Sequence, residues 1–138
     1  MDDVIDKLEA TVVACTSFNS NSVHFDYVRT EDYGTYDPIC LLSLQRDTID
    51  SIGPKETRHI LSFQVKISHV GTGTKTDLSS IISYTSEIIS GIESNRTLNS
   101  SYIENVEIVG VEYSQNAPPN YVIYFAFLSI EVELLRNV

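Results

Sequence analysis

Between Leu61 and Ile67 every second residue is apolar (Leu61, Phe63, Val65, Ile67), and the alternate positions hold Ser62, Gln64 and Lys66. Successive side chains of a strand point to opposite faces, so this period of two predicts a half-buried strand, one face on a core and the other on water or a neighbour. The last segment, 120–135, constrains the fold further. At about 3.3 Å per residue it would extend roughly 50 Å, well beyond the ~17–20 Å of a common strand. It must bend sharply or project to pair with something else, which points toward assembly. Within it Val122, Tyr124 and Ala126 point one way and Ile123, Phe125 and Phe127 the other, so both faces are apolar. The helices of so small a domain can bury one face; the second needs another cover. A neighbouring subunit is the natural candidate, with Ile123, Phe125 and Phe127 as the subunit interface, against a central strand buried wholly within one monomer.

The remaining segments supply the elements that pack on such a sheet. Residues 3–16 place Ile5, Leu8, Val12 and Cys15 on one stripe. Asp2, Asp3 and Asp6 lie at the N-terminal end, where the macrodipole favours negative charge, and the segment reads as an amphipathic helix. A second helix follows the polar stretch 71–77, with Leu78, Ile81, Ile82, Ile88, Ile89 and Ile92 on its apolar stripe. Thr76 or Asp77 can cap its start, and Gly91 and Asn95 mark a fraying end. Short strands are expected at 23–27 and 39–44. The segment 30–38 has loop chemistry, and 46–56, with Gly53-Pro54, reads as a turn or a mobile loop. Val106 and Ile108 share one face while Val109, Val111 and Tyr113 share the other, a change of parity that a β-bulge near Gly110 explains. Strands joined by short polar loops favour antiparallel pairing. The expected architecture is therefore α+β, a mostly antiparallel sheet with two amphipathic helices packed on one face, in a single domain spanning residues 1–138.

Charge removes one class of function. Nineteen acidic residues against nine basic ones give a formal charge of −10, and the basic residues are scattered along the chain. Nothing forms the basic stripe that nucleic-acid binding requires, so DNA near this protein is repelled rather than gripped. The start, Met1-Asp2-Asp3, is the opposite of a signal peptide's basic region, and no apolar stretch approaches the roughly 20 residues of a membrane span, so a soluble, uncleaved protein is expected. Asn95-Arg96-Thr97 and Asn99-Ser100-Ser101 match the glycosylation sequon but, without an export signal, read as chance matches in a polar loop. Cys15 falls on a helical stripe and Cys40 in an apolar run, which suits buried free thiols in a reducing compartment.

The catalytic lookalikes are weak. Gly71-Thr-Gly-Thr-Lys-Thr76 lies between a strand and a helix, the context of a phosphate-binding loop, but that loop needs glycine immediately before its lysine and four residues between its glycines. Here Thr74 precedes Lys75 and one residue separates Gly71 from Gly73. His24, His59 and His69 sit on different segments without metal-ligand spacing, and the reading for His24 and His69 is ordinary surface or edge work at strands. Cys15 with His24 has no third, orienting residue. Glu131 and Glu133 share a strand face, with Glu104 and Glu107 near the start of another strand; a solvated or lumen-facing acidic edge is favoured over a glycosidase pair. The reading is of a protein that is not an enzyme and needs no cofactor or metal.

The layout as a whole resembles the tail terminator, or tail completion, proteins of long-tailed bacteriophages. The resemblance covers nearly the whole chain. It rests on the N-terminal amphipathic helix, the Tyr- and Pro-containing segment leading to a strand (Tyr33 to Leu44), and the Arg-initiated strand Arg58-His-Ile-Leu-Ser-Phe-Gln-Val-Lys-Ile67. It continues through an Ile-rich helix ending in Ile-Glu-Ser-Asn-Arg-Thr-Leu (92–98), the strand Val-Glu-Ile-Val-Gly-Val-Glu (106–112), and a closing strand rich in Ile, Phe and Val. The resemblance implies a homo-oligomeric ring, hexameric in that family, that sits on the head-proximal end of the tail tube, stops its polymerisation and docks the head connector. It implies a virion protein assembled in the host cytoplasm, with the tail tube protein and the head–tail connector as partners and DNA passing through without specific binding. On that view 30–37 and 46–56 are the partner-docking loops, with Tyr33, Tyr36, Asp37, Asp47 and Asp50, and Glu131 and Glu133 mark the lumen or an acidic edge. Similar layouts occur in other head–tail neck proteins, connectors and stoppers among them. A small nucleotide- or ligand-binding protein using the Gly71–Thr76 loop is the alternative from a different class.

Overall fold

A computed structural model describes residues 2–15, 17–18, 22–25, 37–53, 56–98, 100, 103–117 and 119–137; the side chains of 2–3, 50–53, 56 and 135–137 lie outside that description. The elements run α1 (Asp2–Val13), β1 (Val23–Phe25), β2 (Ile39–Gly53), β3 (Glu56–Gly71), α2 (Lys75–Glu93), β4 (Ile103–Asn116) and β5 (Val122–Asn137). The strands form one sheet in the order β1-β2-β3-β5-β4, with β1 parallel to β2 and every other pair antiparallel. The α+β reading holds.

One face of the sheet makes the core. Leu61, Phe63, Val65 and Ile67 of β3, the alternating strand, lie beside Leu128, Ile130, Val132 and Leu134 of β5, and all are buried. The helices close over this face with Val4, Leu8 and Val12 of α1 and Ile81, Ile88 and Ile92 of α2. In α1 Val4 rather than Ile5 begins the buried stripe, because positions 4, 8 and 12 stack directly at four-residue spacing. In α2 the buried line is Ile81, Thr85, Ile88 and Ile92, which leaves Leu78 and Ile82 half-exposed on its flank. Thr85 tolerates full burial because its hydroxyl donates to the Ile81 carbonyl at 2.7 Å. The helix ends at Glu93, between Gly91 and Asn95 as expected; Gly91 lies in its last turn, and a Cβ there would stand 3.3 Å from Cγ2 of Thr11, so its bare backbone eases the approach of α1.

Three expectations change. The described part of 46–56 is strand rather than loop: β2 runs on to Gly53, pairing from Arg46↔Ser62 through Ser51↔Thr57, and β3 begins at Glu56, while 54–55 lie outside the described residues. The register slips between Leu44 and Arg46, so the positions on the helix-covered face of the sheet switch from Cys40, Leu42 and Leu44 to Asp47 and Ile49; Leu44, Asp47 and Ile49 lie beyond the core and are exposed. A one-residue bulge inverts parity and hides the continuing strand from a period-two reading. The length of β5 is matched within the chain: Val122↔Gly71 to Asn137↔Glu56 pairs it with β3 from end to end, and β4 flanks it on the other side. It is a central strand, with no need to reach another subunit for hydrogen bonds. The start of α2 also moves. Thr74 is the N-cap and Asp77 its reciprocal partner three residues on. The expected bulge in β4 is present, between Ile108 and Gly110. It places Val106, Ile108, Val111 and Tyr113 on one face and turns Val109 out to solvent.

Candidate functional site

The second face of the sheet carries the alternate residues of the same strands: Ser62, Gln64 and Lys66 of β3 beside Glu131, Ser129 and Phe127 of β5, and Glu107 and Glu112 of β4 beyond. Among the described residues neither helix lies over it. Phe125 and Phe127 stand two residues apart here, ring centroids 6.1 Å apart, each only partly buried. Lys66 lies across them, its Nζ 4.4 Å from the Phe125 centroid and 5.9 Å from that of Phe127. The contact shields the rings with a lysine stem, and partial burial pushes the ammonium's pKa below its ordinary value. Ile123 does not share this exposure: at 8% it is already buried within the chain. Glu131 sits directly opposite Glu107, a like-charge pair, while Glu133 reaches Arg58 at 3.5 Å in a half-exposed ion pair of little energetic weight. An apolar surface thus grades into an acidic end along one face.

The residues expected in docking loops are separated. Tyr33 and Tyr36 lie outside the described residues. Asp47 is on the β2–β3 hairpin, its carboxylate 3.3 Å from His59 Nδ1, and Asp50 is paired in the same hairpin with Arg58, its side chain outside the description. Asp37 is not a free surface carboxylate. Its Oδ2 lies 2.7 Å from His69 Nδ1 and its Oδ1 accepts the Val70 N–H at 2.8 Å.

That contact belongs to a cluster missed in the sequence, where His69 reads as an edge histidine. His69 is buried at the end of β3, and its Nε2 lies 3.2 Å from Asp77 Oδ1 in the first turn of α2. The ring meets Tyr84 edge-on at 5.6 Å and lies nearly parallel to Tyr124 at 6.3 Å. Burial, and secondarily the charge of Asp37, pushes the Tyr84 phenol above its ordinary pKa. The sequence offers Asp77 as a cap, and the Thr74-x-x-Asp77 pattern gives its place as the capping-box partner. Asp37, thirty-two residues from His69, carries no local signal.

Asp77 also occupies the loop that looks like a phosphate-binding one. Its Oδ2 accepts the N–H groups of Thr72, Gly73 and Thr74 at 3.0, 3.1 and 3.0 Å. These backbone bonds, Thr74's foremost, together with His69, hold its carboxyl well below the usual carboxylate range. Gly71 makes the room, since a Cβ there would collide with the Asp77 carboxylate, and Gly73 supplies a φ of +89°. The donors that would cradle a phosphate are thus occupied by the chain's own carboxylate. The thiols are not activated either. Burial raises the pKa of half-buried Cys15 and, more strongly, of Cys40, which has no exposure. Among the described residues no group of His, Cys, Asp and Glu is placed to hold a metal ion. The carboxylates of Asp37 and Asp77 flank opposite nitrogens of one ring and share no common centre. No described helix is long and apolar enough to cross a membrane.

A last surface lies beside α2. Leu78 and Ile82 face Tyr113, Ser114 and Gln115 of β4 across an apolar groove of about 230 Å³ that Ile81, Tyr124 and Phe125 complete. No protein-family model and no characterised protein matches this chain.

Proposed function

We propose that this protein is a structural subunit of a phage tail, assembling into a ring at the head-proximal end of the tail tube, where it terminates polymerisation and docks the head connector. The observation that carries the reading is Phe125 and Phe127, partly buried under Lys66 on a sheet face that no described helix covers. Two aromatic rings on one such face suit contact with another subunit. The acidic end of the same face, with Glu131 and Glu133, suits a lumen that passes DNA without holding its phosphates. The saturated loop at Thr72–Thr74 speaks against the nucleotide-binding alternative.

Electron microscopy of the purified protein tests the reading, with rings as the expected outcome and a persistent monomer the contrary one. Phe125→Asp localises the interface. Lys66 can pair with the new carboxylate in the free subunit, so the monomer stays folded, but carrying that charge into a dry contact costs several kcal/mol and the rings come apart. A variant that unfolds outright would place Phe125 in the monomer core. Mixing rings with growing tail tubes separates a terminator from other neck proteins: a terminator arrests tube length, whereas a connector or stopper binds heads or finished tails and leaves tube growth unchanged.

A further inference from the structure

A neutral imidazole has one N–H and one lone pair, and a protonated one has two N–H groups. An ionised carboxylate only accepts. His69 presents Nδ1 to Asp37 Oδ2 at 2.7 Å and Nε2 to Asp77 Oδ1 at 3.2 Å, so both bonds form together only when the ring carries both protons. With one proton, a nitrogen lone pair faces a carboxylate oxygen. We propose that His69 is a proton-operated tie: protonated, it joins the end of β3, the chain entering β2 and the first turn of α2; deprotonated, it keeps Asp37 and releases Asp77.

The choice of partner follows from what each carboxylate has besides the ring. Asp77 retains the backbone N–H groups of Thr72, Gly73 and Thr74 on its other oxygen, and its contact with the ring is the longer one. Asp37 makes the shorter contact and has only the Val70 N–H besides, among the bonds described for it. The groups facing the ring are Asp37 ahead of β2, Asp77 and Tyr84 of α2, and Tyr124 of β5. Glu87, one turn beyond Tyr84, adds its charge to that phenol. Every charged group among these is a carboxylate. The sign is then fixed: the tie is whole while the ring carries both protons and loses a bond when one leaves. What it loosens is the first turn of α2, which carries Leu78 and leads to Ile81 and Ile82 of the apolar groove. This inference is independent of the tail reading.

Histidine-ring and backbone NMR on the ¹⁵N-labelled full chain tests it, with His24 and His59 as internal references. Both His69 nitrogens should carry hydrogen at acid pH. On titration the hydrogen should leave Nε2, and the amides of Thr72, Gly73 and Thr74 should shift with the same midpoint. As pH rises and the ring loses its second proton, the Tm advantage of wild type over His69→Gln should shrink by several degrees. A neutral ring protonated on Nε2, amides that ignore the ring titration, or a pH-independent Tm gap would each overturn the proposal. If His69→Gln fails to fold, the wild-type spectra decide alone.

Discussion

Asp77 is the side chain on which most local order converges. It closes the capping box with Thr74, fills the turn at Gly71 and Gly73, and meets His69. Because its folded-state pKa is depressed, it contributes stability above the ordinary carboxylate value of about 3.9 and loses that contribution as pH falls below it. The expected outcome is that wild type loses Tm more steeply than Asp77→Ala on acidification below about pH 4, the two curves converging. A variant that shadows wild type at a constant offset would show that Asp77 acts by packing instead. Thr74→Ala should cost about 1 kcal/mol through the lost cap, measured by urea unfolding with unchanged slope. Leu128, fully buried at the centre of β5, should cost ~2–5 kcal/mol as Leu128→Ala in the same assay. Asp77 was visible in the sequence as a capping residue, but its bond to His69 was not, since the pair meets only when β3 and α2 dock.

Among the elements, the β2–β3 hairpin is the one that changes the functional picture. Read as a loop, 46–56 was a soft docking segment; with 46–53 in a paired strand it is a defined arm, with Arg46 and Asp47 exposed and Ile49 60% exposed. An isoleucine held in solvent on a regular strand is a surface that can be dried by a partner. Ile49→Asp should therefore leave unfolding free energy within about 0.5 kcal/mol of wild type, as surface changes do. On the proposed function, the same variant should let tubes overgrow or leave tails unjoined to heads, scored by electron microscopy of assembled particles. Normal tail length and normal joining would remove the hairpin from the docking surface. The two bulges show why one element was legible and the other not. At Gly110 apolar residues continue on both sides, so the parity change can be read; after Leu44 the same face carries Asp47 and exposed Ile49, and the signal fades into charge.

For the whole molecule the dominant long-range term is the charge of −10. Subunits brought into a ring repel over a Debye length of roughly 10 Å at 0.1 M salt. If the proposed ring forms, added monovalent salt or Mg²⁺ should therefore promote it, followed by sedimentation velocity across a salt series. Rings that dissolve as salt rises would mean that ion pairs join the subunits, and the Phe125–Phe127 contact would lose its place as the interface. On the proposed reading the associating face is the one the helices leave open, and its aromatic pair was legible as the apolar half of a two-sided strand. Ile123 was grouped with that pair by alternation alone, whereas packing at the strand's end buries it within the subunit.

Periodicity is a property of neighbouring residues, so the sequence alone specified what neighbours decide: the half-buried strand at 61–67, both helices, the bulge near Gly110 and the α+β class. Charge, being additive, was equally readable. Partner choice is not local. That β5 lies between β3 and β4, that β2 continues past its bulge, and that Asp37 and Asp77 close on His69 depend on contacts between segments far apart in the chain. Such contacts form where burial of the shared core offsets the entropy of closing the intervening loops, a balance that only the folded chain resolves.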